Sequence, residues 1–423
     1  MSDYLIAGAR LADGRTTDLH LREGILVDEP VPGAERIDAD GLLALPGLVD
    51  LHTHLREPGR EDAETVRTGT LAAARGGYTA VFAMANTDPV TDDAEKAEYI
   101  RLLGQRDGSA QVVPIGAVTK ELAGRELAEM GLMARSGARV RVFSDDGKCV
   151  TDSLLMRRAL EWVRPFGGVI AQHSQDAALA GPGACCHESD ISGRLGLGGW
   201  PAVAESVIIA RDVQLAELTR SRLHVCHIST AEGVEVVRWA KKRGIDVTAE
   251  VTPHHLLLGT REVEGYDTTF KVNPPLRTDE HIEAVREALA DGTIDVVGTD
   301  HAPHAAQDKD HAFADARPGM LGLEQSLAVV VETMVETGRM DWPTVVERMS
   351  TAPARIGRIA DQQGQALQPG SVANLVLVDP TARATVDREA SASMSRNNPY
   401  HGRELPDPVV ATFWRGRRTF SRP

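Results

Sequence analysis

The stretch GLVDLHTHLREPG, residues 47–59, starts as a buried strand and ends as something else. Leu48, Val49 and Leu51 form an apolar run. His52, His54 and Arg56 then fall on every second position, and Pro58-Gly59 stops the element. Side chains along a strand alternate faces, so the spacing points two imidazoles and a guanidinium the same way. Two neutral imidazoles so placed can chelate one divalent metal, and Arg56 can fork onto a carboxylate. Alone, the motif fits two satisfied histidines and a rim arginine equally well.

The segments that follow change that balance. Eight short apolar runs alternate with helix-period stretches: GLVDLHTH (47–54), TAVFAMAN (79–86), QVVPIGAV (111–118), ARVRVFSDD (138–146), GVIAQHS (168–174), LHVCHIS (223–229), DVTAEVTPHH (246–255) and IDVVGTDHA (294–302). This alternation predicts an α/β fold with eight parallel strands in a closed (β/α)8 barrel, and such barrels carry their chemistry at the strands' C-terminal ends. Residues 1–45 and 356–423 read as short strands and turns. We expect them to meet in a small β-sandwich domain, with residues 46–355 forming the barrel.

Polar residues gather at the predicted strand ends. Strand parity puts Val140, Val142, Ser144 and Asp146 on one face, so Asp146 is the inward carboxylate and Asp145 a solvated or capping residue. By the same parity His173 follows Val169 and Ala171, His227 follows Leu223 and Val225, and Asp300 follows Val296 and Gly298, while His224 falls out of phase and reads as structural. Four histidines and two carboxylates at five strand ends fit two zinc-like ions sharing a carboxylate, with cobalt and manganese as alternatives. Parity does not choose between His254 and His255. GRLGLGGW (193–200) lacks the context of a dinucleotide site and reads as a loop. Cys149 and Cys226 read as small packing residues, and Lys148 as a loop lysine.

The net charge of −15, from 46 Lys+Arg against 61 Asp+Glu, argues against a nucleic-acid footprint. No apolar stretch is long enough to span a bilayer, and the N-terminal residues lack the pattern of a signal peptide. Four cysteines with no CxxC pair suit a reduced, cytoplasmic protein.

Several longer stretches carry a resemblance: DLHTHLREPG (50–59), AARGGYTAVFAMANTDP (73–89), FSDDG (143–147), HVCHIST (224–230), VTAEVTPHHLLL (247–258), KVNPPLR (271–277), GTIDVVGTDHAPH (292–304), GLE (322–324) and NNPYHGRELP (397–406). Over nearly its whole length the chain resembles the bacterial-type dihydroorotases of the amidohydrolase superfamily. The resemblance implies two zinc ions per subunit, one on His52 and His54, the other on His173 and His227, with Asp146 as the bridge. Asp300 would bind the first metal and move the proton as activated water opens the ring of L-dihydroorotate to N-carbamoyl-L-aspartate, or in reverse. Arg56, Asn86 and Asn273 would hold the substrate, with His304 and the backbone of Pro318 and Gly319; His54 would touch it too.

Ala85 stands where the family usually has proline. The strand-four aspartate and Arg56 speak against hydantoinases and allantoinases, which are the nearest enzyme alternatives. An inactive partner of aspartate transcarbamoylase should have lost metal ligands, and all six are present. Homo-oligomers and a complex with aspartate transcarbamoylase are further expectations of the resemblance. Residues 305–319, polar and without periodicity, predict a mobile lid.

Overall fold

The computed structural model describes residues 2–422. The eight runs read from the sequence are eight parallel strands. Leu48–Thr53, Tyr78–Ala83 and Gln111–Pro114 form one sheet. Val142–Phe143, Val169–Gln172, Arg222–Val225, Val247–Val251 and Val296–Val297 form a second. Parallel bridges Gly116–Phe143 and Thr53–His301 join the two sheets at both seams.

Two apolar layers explain why the strands are hydrophobic on both faces. An inner cluster gathers Val49, Leu51, Ala80, Phe82, Val142, Val169, Ala171, Cys226 and Val296 with Ala352, Ala354 and Ile356 of the last helix. An outer cluster packs Leu48, Val81, Phe143, Ile170, Leu223, Val225, Val247, Ala249, Val251 and Val297 against the helices. The helices follow the expected periodicity: Val66–Arg75, Ser153–Val163 and Ala231–Lys242 each start at a Thr or Asp whose side chain accepts from the first turn.

The two ends of the chain meet in one mixed sheet. Its strands run in the order Arg417–Ser421, Val409–Trp414, Leu375–Val378, Leu43–Pro46, Tyr4–Leu11, Thr16–Arg22, Ile25–Val27, and Glu35–Asp38 also pairs with Tyr4–Leu11. It has its own core, including Ile6, Leu19, Leu21, Leu375 and Phe413. Val376, Val378 and Val409 face the larger cluster, and Thr412 Oγ1 donates to Ala74 O at 2.7 Å, fixing the sheet to helix Val66–Arg75.

Two local readings change. GRLGLGGW is not a plain loop: it ends helix Asp190–Leu195 and then forms strand Gly198–Trp200, paired with Ala184–His187. Within residues 305–319, Ala306–Lys309 is a short helix. Lys309 Nζ donates to Thr268 O, Lys271 O and Arg317 O, so this helix is tied to the neighbouring loop.

Candidate metal centre

Six side chains from five strand ends converge in a buried cluster. His52, His54, Asp146 and Asp300 present ligand atoms within 4.8 Å of one another, and so do Asp146, His173 and His227. Asp146 belongs to both groups. Its Oδ1 lies 3.4 Å from His52 Nε2, 3.4 Å from His173 Nδ1 and 3.3 Å from His227 Nε2; its Oδ2 lies 3.3 Å from His54 Nε2. Asp300 Oδ1 is 3.0 Å from His54 Nε2 and 3.5 Å from His52 Nε2. Burial opposes ionisation of both carboxyls, yet the imidazoles around them hold each below the ordinary carboxylate range.

The hydrogen bonds around the cluster leave the inner nitrogens for a cation. His52 Nδ1–H donates to Glu250 Oε1 at 2.5 Å, so the buried Nε2 is the lone-pair atom, and it has no hydrogen-bond partner. His54 Nδ1–H donates to Asn86 Oδ1 at 2.9 Å, freeing Nε2. His173 Nε2–H donates to Gln175 Oε1 at 2.9 Å. That turns His173 Nδ1 toward His227 Nε2, 2.9 Å away. Nitrogens with lone pairs facing a shared carboxylate, held from behind by an acceptor at His52, His54 and His173, fit a metal. The donor set is nitrogen and oxygen without thiolate, as suits zinc.

Strand parity accounts for part of this. Val142, Val169, Ala171 and Val296 do face inward, in phase with Asp146, His173 and Asp300. For His227 the phase is different. Leu223 and Val225 pack outward, while His224 and Cys226 face the interior. His227 reaches the cluster because regular strand ends at Val225 and the backbone turns to φ 31°. On the first strand Val49 and Leu51 face inward, and a register irregularity between Asp50 and Thr53 re-aims the histidines. Arg56 and Asp300 also adopt left-handed backbone, with φ 61° and 44°. Such strain clusters at functional sites.

The outer residues fall into place around the ligands. Arg56 is half-buried, its Nε donates to Pro303 O at 3.0 Å, and no carboxylate pairs with it among the described residues. Burial lowers its pKa to about 10. Asn86 gives its carbonyl to His54, which leaves its amide nitrogen only a 3.4 Å contact with Asp146 O. Asn273 Nδ2 donates to Gln175 Oε1 at 3.2 Å, and its buried Oδ1 has no partner. His304 Nε2–H donates to Pro318 O at 2.9 Å. Gly319 N–H donates to Lys271 O at 2.8 Å. With φ 139° and room for no Cβ, which would lie 2.7 Å from His304 Nε2, position 319 requires glycine.

The pair left open in the sequence separates clearly. His255 is structural: Thr252 Oγ1 lies 2.8 Å from its Nδ1, and its Nε2–H faces Pro274 O and Pro275 O. His254 is buried with both ring nitrogens unpartnered, and burial lowers its pKa to about 4. Asp145 accepts from Val118 N and Thr119 N, a purely structural use. Burial pushes the Cys149 thiol up to about 11 and Cys226 higher still, so neither is a thiolate nucleophile.

Sequence reading missed Glu250. It accepts from His52 on one oxygen and from His224 Nε2–H, at 3.1 Å, on the other. Its signal was present: a carboxylate inside the buried run DVTAEVT needs a partner.

A family model described as Dihydro-orotase-like matches residues 41–233. The chain is 58% identical to a dihydroorotase of Streptomyces coelicolor, over 99% of this chain and 98% of that one. It is 51% identical to a dihydroorotase of Mycobacterium tuberculosis, over 98% and 97%. Among solved structures, the L-hydantoinase (dihydropyrimidinase) of Arthrobacter aurescens superposes with a TM-score of 0.88 at 25% identity, covering 100% of this chain and 96% of that one. The dihydropyrimidinase of Brevibacillus agri, at 22% identity and a TM-score of 0.86, shares the fold. Sequence identity of this extent across the whole chain places the protein in the dihydroorotase family.

Proposed function

We propose that this protein is a metal-dependent cyclic amidohydrolase that interconverts L-dihydroorotate and N-carbamoyl-L-aspartate. The observation that carries the reading is Arg56, a half-buried guanidinium with no carboxylate partner beside an imidazole–carboxylate cluster built on Asp146. A substrate carboxylate satisfies it, and an uncharged cyclic amide leaves it unpaired.

Two zinc ions fit the donors: His52, His54 and Asp300 for one, His173 and His227 for the other, with Asp146 shared. Bound there, zinc supplies Lewis acidity toward water and an amide carbonyl. The protein's own groups do the rest. Asp300, whose Oδ1 lies 3.0 Å from the free His54 Nε2 on the metal side, takes the proton of the attacking water on its other oxygen and delivers it to the departing ring nitrogen. Arg56 and the amide nitrogens of Asn86 and Asn273 grip the substrate. His54, His304 and the Pro318–Gly319 backbone line the same space, and His254, neutral and unpartnered, faces it as a donor.

The architecture that serves this chemistry is a closed (β/α)8 barrel over residues 46–355, supported by the two bridges that join the sheets. Residues 1–45 and 356–423 make the small β-sandwich, supported by their separate core. The reading includes a cytoplasmic setting, supported by four free thiols. It also includes a homo-oligomer, supported by the exposed Leu132, Leu154 and Trp162 on adjacent helices, and a complex with aspartate transcarbamoylase. Among the described residues no helix is long and apolar enough to cross a membrane.

The test is turnover of L-dihydroorotate by the zinc-loaded protein, with hydantoin and allantoin alongside. Turnover of dihydroorotate alone is expected. Preference for either neutral ring would overturn the assignment.

A further inference from the structure

A second polar cavity, of about 910 Å3, lies at the strands' N-terminal ends, away from the metal centre. Its walls are strand Gln111–Pro114, the residues leading into Val142–Phe143, helix Ala94–Asp107, the segment after helix Ala352–Ile356 and the turn after Val409–Trp414. Six arginines line it: Arg101, Arg139, Arg141, Arg355, Arg358 and Arg415. In a chain of net charge −15 this is a sharp local inversion.

Few of these charges are neutralised. Arg101 pairs with Glu98, and Arg355 with Glu347 at 3.0 Å. The side chains of Arg139 and Arg358 have no hydrogen-bond partner among the described residues. Arg141 reaches only Ala134 O and Val140 O, and Arg415 only Gln362 Oε1. Asp361 is the one carboxylate on the wall, and it joins no ion pair among the described residues. Burial, then the charges of Arg139 and Arg358, lowers the pKa of Arg141, so these three cations stand close enough to repel one another. Trp414, on the same wall, has a buried Nε1–H with no acceptor.

Guanidinium forks match phosphate oxygens in pairs, and a concave cationic cavity focuses an anion's approach. A volume of this size suits a small molecule rather than a macromolecular surface. We propose that this cavity is a binding site for a small, multiply charged phosphate compound, either a polyphosphate or a nucleotide. The site is separate from the metal centre, so its occupant regulates or stabilises the protein and does not react there.

The experiment is calorimetric titration of the metal-loaded protein, first with inorganic pyrophosphate and then with a nucleoside triphosphate. One site per chain is expected, weakening with salt. In the double variant Arg139→Gln/Arg358→Gln, binding should fall at least about tenfold, because two charge-assisted contacts are lost. Turnover at the metal centre should be unchanged, as both side chains are exposed and remote from it. Arg415→Gln, in another element, should weaken binding independently, while Arg125→Gln on a distant loop should not. Equal affinity for both probes means that phosphate alone is recognised. Tighter triphosphate binding adds a contact to the base; both outcomes support the site. No heat with either probe at millimolar concentration overturns the proposal. So does binding that survives the double variant, which would place the anion on the metals.

Discussion

Asp146, His173 and Asp300 were legible in the sequence because they share the phase of the inward residues Val142, Val169, Ala171 and Val296 on their own strands. His227 was legible as a residue type at a strand end, but its side was read from the wrong phase. Its left-handed backbone, like that of Arg56 and Asp300, is a local departure that no alternation rule encodes. Glu250 shows what lies behind the ligands. It fixes the His52 tautomer and takes the second imidazole, His224, on its other oxygen. Replacing Glu250 with Gln should lower metal affinity by about 10–100-fold. Competition with a chromophoric chelator measures this, and excess zinc should restore turnover. Arg56→Gln removes a charged contact worth about 1.5–3 kcal/mol, which corresponds to roughly a tenfold to hundredfold loss in kcat/KM for dihydroorotate. A neutral hydantoin, lacking the carboxylate, should compete for the site no less well in the variant; an equal weakening of both rings would remove the argument that Arg56 selects charge.

At the scale of elements, the eight strands were legible because a parallel sheet buried on both faces reads as short apolar runs between helices. The short insertion strands were not, because Gly198–Trp200 is too small and glycine-rich to carry a period. That insertion nonetheless supports the site. Arg277, next to the Asn273 loop, donates from Nη1 to His187 Nδ1 at 3.0 Å and from Nε to Ser229 Oγ at 3.0 Å. Glu205 accepts from Ser229 N and Thr230 N, both at 3.0 Å, and lies 3.6 Å from Arg277 Nη2. One buried network therefore joins the His227 strand end, the Asn273 loop and the insertion. His187 must stay neutral to accept from Arg277. Burial first, then the charges of Arg277 and His281, lowers its pKa to about 3. Because the folded value lies below the unfolded one, its stabilising contribution is complete above about pH 6.5 and drains away as pH falls toward 3. His187→Asn keeps an acceptor without a titrating ring. Between pH 7 and about 4.5 its urea midpoint should therefore fall less than that of the natural protein; parallel curves would mean that His187 does not control this acid sensitivity.

At the scale of the whole molecule, the two ends of the chain had to be read as partners although more than 300 residues separate them, and their β-like texture allowed that. The order of the strands in their shared sheet was out of reach, because it depends on long-range packing around Phe413 and Leu375 rather than on local pattern. The metal cluster spans the same distances. Its ligands come from strands one, four, five, six and eight, so a cation held there ties together both sheets of the larger unit. A ligand that binds only the folded chain stabilises it by mass action, by about 4 kcal/mol when present at roughly a thousand times its Kd. Without it, Asp146 and Asp300 remain buried, with the surrounding histidines as their nearest counter-charges. Exhaustive chelation should therefore abolish turnover and lower Tm by about 4–5 °C for each ion lost, given the shallow slope expected of a chain this long. Returning zinc should recover both together. Loss of turnover with an unchanged Tm would mean that the six side chains are held by the fold alone, and the cluster would then be a preformed site rather than a clasp between the two sheets.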